Sequence, residues 1–169
     1  MVGEVEIPHG TGDLAPDPRW GSFGTTRQTM AAAAAGMPIS HDAPSSIQEM
    51  LRVARSLFIQ SWWDYDLLSV CAFWAFLSLE AALINVLQLA EEDWTPPLPE
   101  LAKRAAVAGL LTERASDVVA QGARLRNDFA HPRRVRSWTP GMACGALQTT
   151  HILICEMYEA RRSASLGEV

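Results

Sequence analysis

The sequence predicts an all-helical protein, and three observations support this prediction. From residue 45 onward, apolar residues recur in steps of three and four. No stretch alternates between apolar and polar residues for long enough to indicate a β-strand. Pro, Gly and Ser/Thr residues separate the periodic stretches at helix-length intervals. With 169 residues, 49% of them hydrophobic, we expect one core in a bundle of four main helices plus a short one.

The two ends of the chain have a different character from this periodic part. Residues 1–44 are rich in Gly, Pro, Ser and Thr and have no apolar period, so we expect a flexible N-terminal tail there. Within it, residues 31–35 are all alanine, which fits either a short helix or an alanine-rich linker. Residues 164–169 are expected to form a C-terminal tail. The helical bundle should therefore span residues 45–163.

The first main helix should begin near residue 45. Ser45 with Gln48, or Ser46 with Glu49, has the spacing of a capping box, in which side chains satisfy the free N–H groups of a helix start. The apolar face that follows consists of Ile47, Met50, Leu51, Ala54, Leu57 and Phe58.

The second main helix, from about residue 66 to 90, is apolar on nearly every side. Its length and composition fit either a membrane span or a buried helix. Glu80 lies near its middle, and a central carboxylate costs about 3 kcal/mol on insertion scales, so we expect no membrane and a helix covered by other helices or a second subunit. For Glu80 two roles remain open, a site carboxylate facing a cleft or a structural carboxylate paired with an arginine, and the pairing is favoured.

Proline and threonine residues mark the helices that follow. Pro96 and Pro97 end the second helix, a short helix covers residues 99–108, and Thr112 caps a longer one. The expected apolar stripe of this longer helix consists of Ala115, Val118, Gly122, Leu125 and Phe129.

The last two boundaries follow from the same reasoning. Because His131 precedes Pro132, it is pushed out of α geometry, and the penultimate helix should end there. Thr139 as cap and Pro140 as first helical residue should start the last helix. The expected buried face of that helix consists of Ala143, Leu147, Thr150, Ile154 and Tyr158.

Composition restricts the possible functions and surroundings. The net charge of -5 argues against a general nucleic-acid coat, so any RNA contact must be local. The three cysteines have no metal-ligand spacing and indicate buried thiols in a reducing compartment. The N-terminus lacks a basic and apolar leader, so we expect a cytoplasmic protein. We also expect no metal and no cofactor. His151 is expected to be a packed histidine.

The segment from Arg126 to His131 carries the most specific signal. Arg126 and His131 stand five residues apart with Asn127 after the arginine, at the end of the penultimate long helix. The segment resembles the R-x(4 to 6)-H signature of HEPN domains, in which a polar residue often follows the arginine, and the resemblance covers roughly residues 45–162. It implies a HEPN-like bundle and a symmetric dimer whose two motifs meet across a cleft. Many members of that family cleave RNA without metal.

On this resemblance, Arg126 and His131 are the candidate catalytic residues. Imidazole exchanges protons near neutral pH, and a guanidinium presents several donors to phosphate oxygens. Asn127 and Asp128 are the expected supporting residues. The arginines expected to form a positive strip for an RNA backbone are Arg124, Arg133, Arg134 and Arg136. A purely structural interpretation also exists, because cations at a helix C-terminus are stabilised by about 0.3–1 kcal/mol.

Three functional hypotheses follow. The first is a homodimeric, metal-independent endoribonuclease that cleaves single-stranded RNA as a toxin or defence effector, with an antitoxin or nucleotidyltransferase as partner. Toxins of this family that a nucleotidyltransferase regulates usually carry Tyr two places after the histidine, where this chain has Arg133. The second is a non-catalytic HEPN-like module that dimerises and binds a nucleotide, RNA or protein. The third is a helical adaptor without a nucleotide ligand.

Overall fold

The described part of the chain is built from helices. The computed structural model describes residues 15–89, 96–130 and 138–167. Its elements are a short 3-10 helix (Pro18–Ser22), α1 (Arg27–Ala35), α2 (Ser45–Gln60), α3 (Leu67–Val86), α4 (Leu98–Val107), α5 (Glu113–Ala130) and α6 (Pro140–Gly167). These ranges contain no strand, so the predicted all-helical class is confirmed.

Helix α3 is the centre of the packing. It packs mainly against α2 and α6 and also contacts α4 and α5. By length and composition alone α3 could cross a membrane, but half of its apolar window is buried against the rest of the chain. The core helix of a soluble protein has the same composition, so this property does not by itself indicate a membrane.

Local capping determines where α5 and α6 begin, as the sequence predicted. The backbone N–H of Ala115 donates to Thr112 Oγ1 at 3.1 Å, and that of Met142 donates to Thr139 Oγ1 at 3.2 Å. Pro140 occupies the first position of α6, where its missing N–H is not needed. These caps fix the start of the helix that carries Arg126 and the start of the helix that follows it.

The start of α2 differs from the expectation. Pro44 is the N-cap and makes no side-chain cap hydrogen bond, and Ser45 and Ser46 already belong to the first helical turn. The Gln48 amide reaches back and donates to the backbone oxygen of Ala43 at 2.8 Å. The predicted capping box is therefore wrong, because the helix starts at the residue that was expected to cap it.

The prediction of a flexible tail is wrong for residues 15–44. Trp20 is only 2% exposed, and its indole N–H donates to the backbone oxygen of Ser61 at 2.7 Å. The ring of Trp20 lies 5.3 Å from that of Tyr65 and 5.7 Å from that of Trp62, measured between centroids. The Asp17 carboxylate accepts from the backbone N–H of Tyr65 at 3.2 Å. Aromatic burial and hydrogen bonds to distant residues therefore order this segment.

Residues 31–35 belong to a helix, so the short helix is correct and the alanine-rich linker is not. Thr26 caps α1 through a reciprocal capping box with Thr29. Met30 and Ala34 are buried where α1 packs on α2. At the opposite end of the chain, α6 continues to Gly167, so most of the expected C-terminal tail is an exposed extension of that helix.

The apolar faces of the last two helices were predicted with different success. The expected face of α6 is buried at all five positions, none more than 3% exposed. On α5, Ala115 is buried but Val118 is 41% exposed, and the helix instead turns Ser116, Val119 and Ala123 inward. Because α5 packs on α4 and α3 through small side chains, its buried face is rotated from the stripe of larger residues.

Candidate functional site

An ion pair joins Arg126 of α5 to Glu80 of α3. Arg126 Nη1 donates to Glu80 Oε2 at 3.0 Å, between residues 46 positions apart in the sequence. The two side chains are 24% and 22% exposed, so the pair is partly shielded from water. The arginine partner expected for Glu80 is therefore the candidate catalytic arginine itself.

Phe73 forms the second support for the Arg126 guanidinium. The guanidinium carbon lies 5.3 Å from the centroid of the Phe73 ring, within the range of a cation–π interaction. Phe73 and Glu80 are seven residues apart, so they share one face of α3. Phe73 was not among the residues predicted for the site, although its spacing of seven residues from Glu80 was a signal that could have identified it.

The guanidinium keeps donors available for a ligand. Only Nη1 is engaged by Glu80, and within the described ranges Nη2 and Nε make no hydrogen bond. A guanidinium has five N–H donors arranged in a plane, which suits a phosphate group approaching from the open side. Chemically, this arrangement can hold an oxyanion on Arg126 while Glu80 and Phe73 fix its position.

The remaining predicted residues divide into two groups. Arg124 and Asn127 are exposed on α5, close to Arg126 in the sequence. The others lie outside the described residues: the side chain of Asp128, and His131, Arg133, Arg134 and Arg136. The meeting of Arg126 with His131 accordingly stays a prediction.

His151 lies in the core, as expected for a packed histidine. It is fully buried, and its Nδ1 lies 2.7 Å from the backbone oxygen of Pro38. Because a carbonyl oxygen can only accept, Nδ1 carries the hydrogen, and the buried Nε2 has no partner among the residues that the structure describes. Burial lowers the pKa of His151, so the ring is neutral near pH 7.

Burial favours the neutral thiol form of the three cysteines. Cys71 is buried, and burial raises its pKa to about 12, while burial also raises the pKa of the half-buried Cys144 and Cys155. Thiolates are the reactive form, so these cysteines suit packing. In residues 15–89, 96–130 and 138–167, no group of His, Cys, Asp or Glu side chains could hold a metal ion.

No family model, curated protein or solved structure matches the chain. The candidate site accordingly depends on the Arg126 segment and on the geometry around Glu80.

Proposed function

We propose that the protein is a metal-independent endoribonuclease of the HEPN type that cleaves single-stranded RNA as a homodimer, in a cytoplasmic toxin or defence role. The observation that carries this proposal is the position of the Arg126 guanidinium. Glu80 and Phe73 hold it at the end of α5, five residues before His131, with donors left for a phosphate. An arginine fixed before the substrate arrives loses little freedom on binding, which favours catalysis.

The proposed reaction uses the 2′-hydroxyl of the RNA as nucleophile. Its oxygen attacks the adjacent phosphorus, the bond to the 5′-oxygen of the next nucleotide breaks, and the products end in a 2′,3′-cyclic phosphate and a 5′-hydroxyl. His131 takes the proton from the 2′-hydroxyl or delivers one to the departing oxygen. Arg126 stabilises the charge that builds up on the non-bridging oxygens.

An apolar face on α3 supports the homodimer in this proposal. Val70 is 44% exposed and Phe73 is 40% exposed, and the half-buried Leu77 continues the same face in steps of three and four. A second copy of the chain would cover these side chains. Since Phe73 contacts Arg126, pairing along this face would bring the two copies of Arg126 towards a shared cleft.

The net charge requires that RNA binding be local. The chain carries a charge of -5, which repels a polyanion at long range. The arginines proposed to overcome this repulsion near the site are Arg124, Arg133, Arg134 and Arg136.

A second candidate function is favoured by the ion pair itself. Glu80 neutralises Arg126, which is what a structural arginine requires, and no catalytic role follows from that pairing alone. In this case the chain is a dimeric module that binds RNA or a nucleotide without cutting it. The two candidates differ in whether substitution of Arg126 removes a chemical step or only binding.

RNA cleavage in the presence of EDTA tests the proposal. The full chain is incubated with end-labelled single-stranded RNA, beside His131→Ala, Arg126→Ala and the control Arg104→Ala, which removes an exposed arginine paired with Glu100 on α4. We expect cyclic-phosphate fragments from wild type and from the control, and at least about a hundredfold loss in the other two variants. Intact RNA in the wild-type reaction would refute the enzyme. RNA binding without cleavage, weakened by Arg126→Ala, would establish the second candidate.

Expression in cells addresses the proposed toxin role. Growth arrest on expression of the wild type, relieved by Arg126→Ala, is the expected result. Co-expression of an antitoxin or nucleotidyltransferase partner should restore growth in cells that express the wild-type chain. Equal growth of cells that express the wild type and Arg126→Ala would contradict the toxin role. It would not decide whether the protein cleaves RNA, which the EDTA assay tests separately.

A further inference from the structure

The buried ring of His151 joins α6 to the connection between α1 and α2, which consists of residues 36–43. The ring is fully buried, and its Nδ1–H donates to the backbone oxygen of Pro38 over 2.7 Å. Ser40 and Ala43 of the connection are buried as well. The connection is therefore bound to the core through a side chain that can gain a proton.

The surroundings of His151 favour the neutral ring. Its Nε2 is buried and has no partner among the described residues, so protonation would create an N–H group there without an acceptor. Burial lowers the pKa of His151, and the positive charge of Arg55 on α2 acts in the same direction, whereas the hydrogen bond to Pro38 opposes both. Burial also raises the pKa of Cys155, four residues further along α6, so this thiol is neutral near pH 7.

The carboxylates of the neighbouring elements are engaged elsewhere or exposed. Glu49 of α2 and Glu80 of α3 are each paired with an arginine. Glu156 and Glu159 lie on the exposed side of α6, and Asp42 of the connection is exposed and paired with an arginine of α6 at 3.1 Å. Within the described ranges, a positive charge on the buried ring would therefore have no carboxylate to stabilise it.

The segment before α2 is held at two points that differ in their response to pH. At the upstream anchor, the indole of Trp20 donates to the backbone oxygen of Ser61, and neither group titrates. Beside it, the carboxylate of Asp17 stays charged, because hydrogen bonds from Arg19 hold its pKa well below the usual range. The downstream anchor is the contact between the connection and His151. Helix α1 lies between the anchors and has nine residues, too few for a stable isolated helix, so its order depends on them.

We propose that His151 is an acid-sensitive latch whose protonation releases residues 27–43 from α2 and α6, while the Trp20 anchor and the helical bundle stay in place. In the open form the ring is in water, where its pKa has the ordinary value of about 6.5, so a proton favours opening. The closed form is therefore fully favoured above pH 6.5, and its advantage is lost as the pH falls below that value. Between pH 7.5 and pH 5 the ratio of open to closed form should rise by about ten- to thirtyfold. The latch is independent of RNA cleavage, because neither Arg126 nor Glu80 takes part in it.

Hydrogen–deuterium exchange of the full chain tests the latch. Amide exchange is measured by mass spectrometry at pH 7.5 and pH 5 and corrected for the intrinsic effect of pH on exchange. In the wild type, protection of the helical amides of α1 should fall by about ten- to thirtyfold at pH 5, while α2 and α3 keep theirs. His151→Gln is neutral at both pH values and should abolish the difference. His41→Gln removes an exposed histidine of the same connection and should leave the difference unchanged.

A second measurement keeps the test decisive if His151→Gln folds poorly. In wild-type protein with labelled histidines, NMR should show the His151 ring still neutral, with its hydrogen on Nδ1, at pH values where His41 is already protonated. Unchanged protection of α1 at pH 5 overturns the proposal, as does an equal fall in a folded His151→Gln variant. A His151 ring that titrates together with His41, or a fall in protection spread evenly over all helices, has the same meaning.

Discussion

The ion pair between Glu80 and Arg126 should be a measurable source of stability. The two charged atoms are 3.0 Å apart, and at an effective dielectric constant of ~20 their attraction is about 5.5 kcal/mol. Each side chain keeps a little under a quarter of its surface in water, so screening and desolvation offset most of this attraction. We expect a net coupling of about 1–3 kcal/mol, above that of an exposed pair.

A double-mutant cycle measures this coupling. Glu80→Ala, Arg126→Ala and the double variant are unfolded in urea, and the free energies of unfolding are compared with that of the wild type. The same cycle on Glu100 and Arg104, an exposed pair on α4 at 3.2 Å, is the control and should give about 0.3–0.5 kcal/mol. A coupling for Glu80 and Arg126 no larger than that of the control would refute the claim that the pair is shielded.

The same pair separates a structural from a catalytic role of Arg126. Replacing both members of a shielded ion pair by apolar residues of similar length is often tolerated, so Glu80→Met combined with Arg126→Met should recover much of the stability lost in the single variants. RNA cleavage by this folded double variant should nevertheless fall at least about a hundredfold. Undiminished cleavage would show that Arg126 takes no part in the chemistry.

Three further predictions concern other parts of the fold. Gly145→Ala should raise the free energy of unfolding by about 0.5–1 kcal/mol, because a Cβ at this position would meet no atom within 4 Å. Gly122→Ala should lower the free energy of unfolding by about 1–2 kcal/mol, because its Cβ would clash with Phe76. Urea unfolding of the two variants measures both changes. Trp20→Ala should lower the free energy of unfolding by about 3–5 kcal/mol, because Trp20 is buried. If residues 15–44 were not anchored to the bundle, the substitution would cause no change. Because burial lowers the pKa of His151 below 6.5, the neutral ring is favoured in the folded state. The contribution of His151 to the free energy of unfolding should therefore be fully present above pH 6.5 and be lost as the pH falls below that value. An equal loss of stability in a folded His151→Gln variant would contradict this assignment.

The features that the sequence predicted well depend on neighbouring residues. The starts of α5 and α6 are fixed by threonine caps that act within one turn, so Thr112 and Thr139 were sufficient to locate them. The buried face of α6 follows from regular spacing. Helix α5 was harder to predict, because small residues such as Ser116 and Ala123 carry its packing and give a weak apolar signal.

The features that the sequence did not predict depend on residues far apart in the chain. Residues 15–44 lack an apolar period, and their order comes from single long-range contacts such as Trp20 with Ser61. Composition cannot reveal such contacts, because each involves one residue and no repeat. The candidate site has the same limitation: Glu80 and Arg126 were both identified as candidates, but their pairing requires the packing of α3 against α5.

The central position of α3 has a consequence for synthesis on the ribosome. Helix α3 is covered by α2, which is made before it, and by α6, which is made after α4 and α5. During translation the apolar surface of α3 stays uncovered on one side until α6 has emerged. A stop codon anywhere between α3 and α6 should therefore yield an aggregating fragment rather than a smaller folded protein.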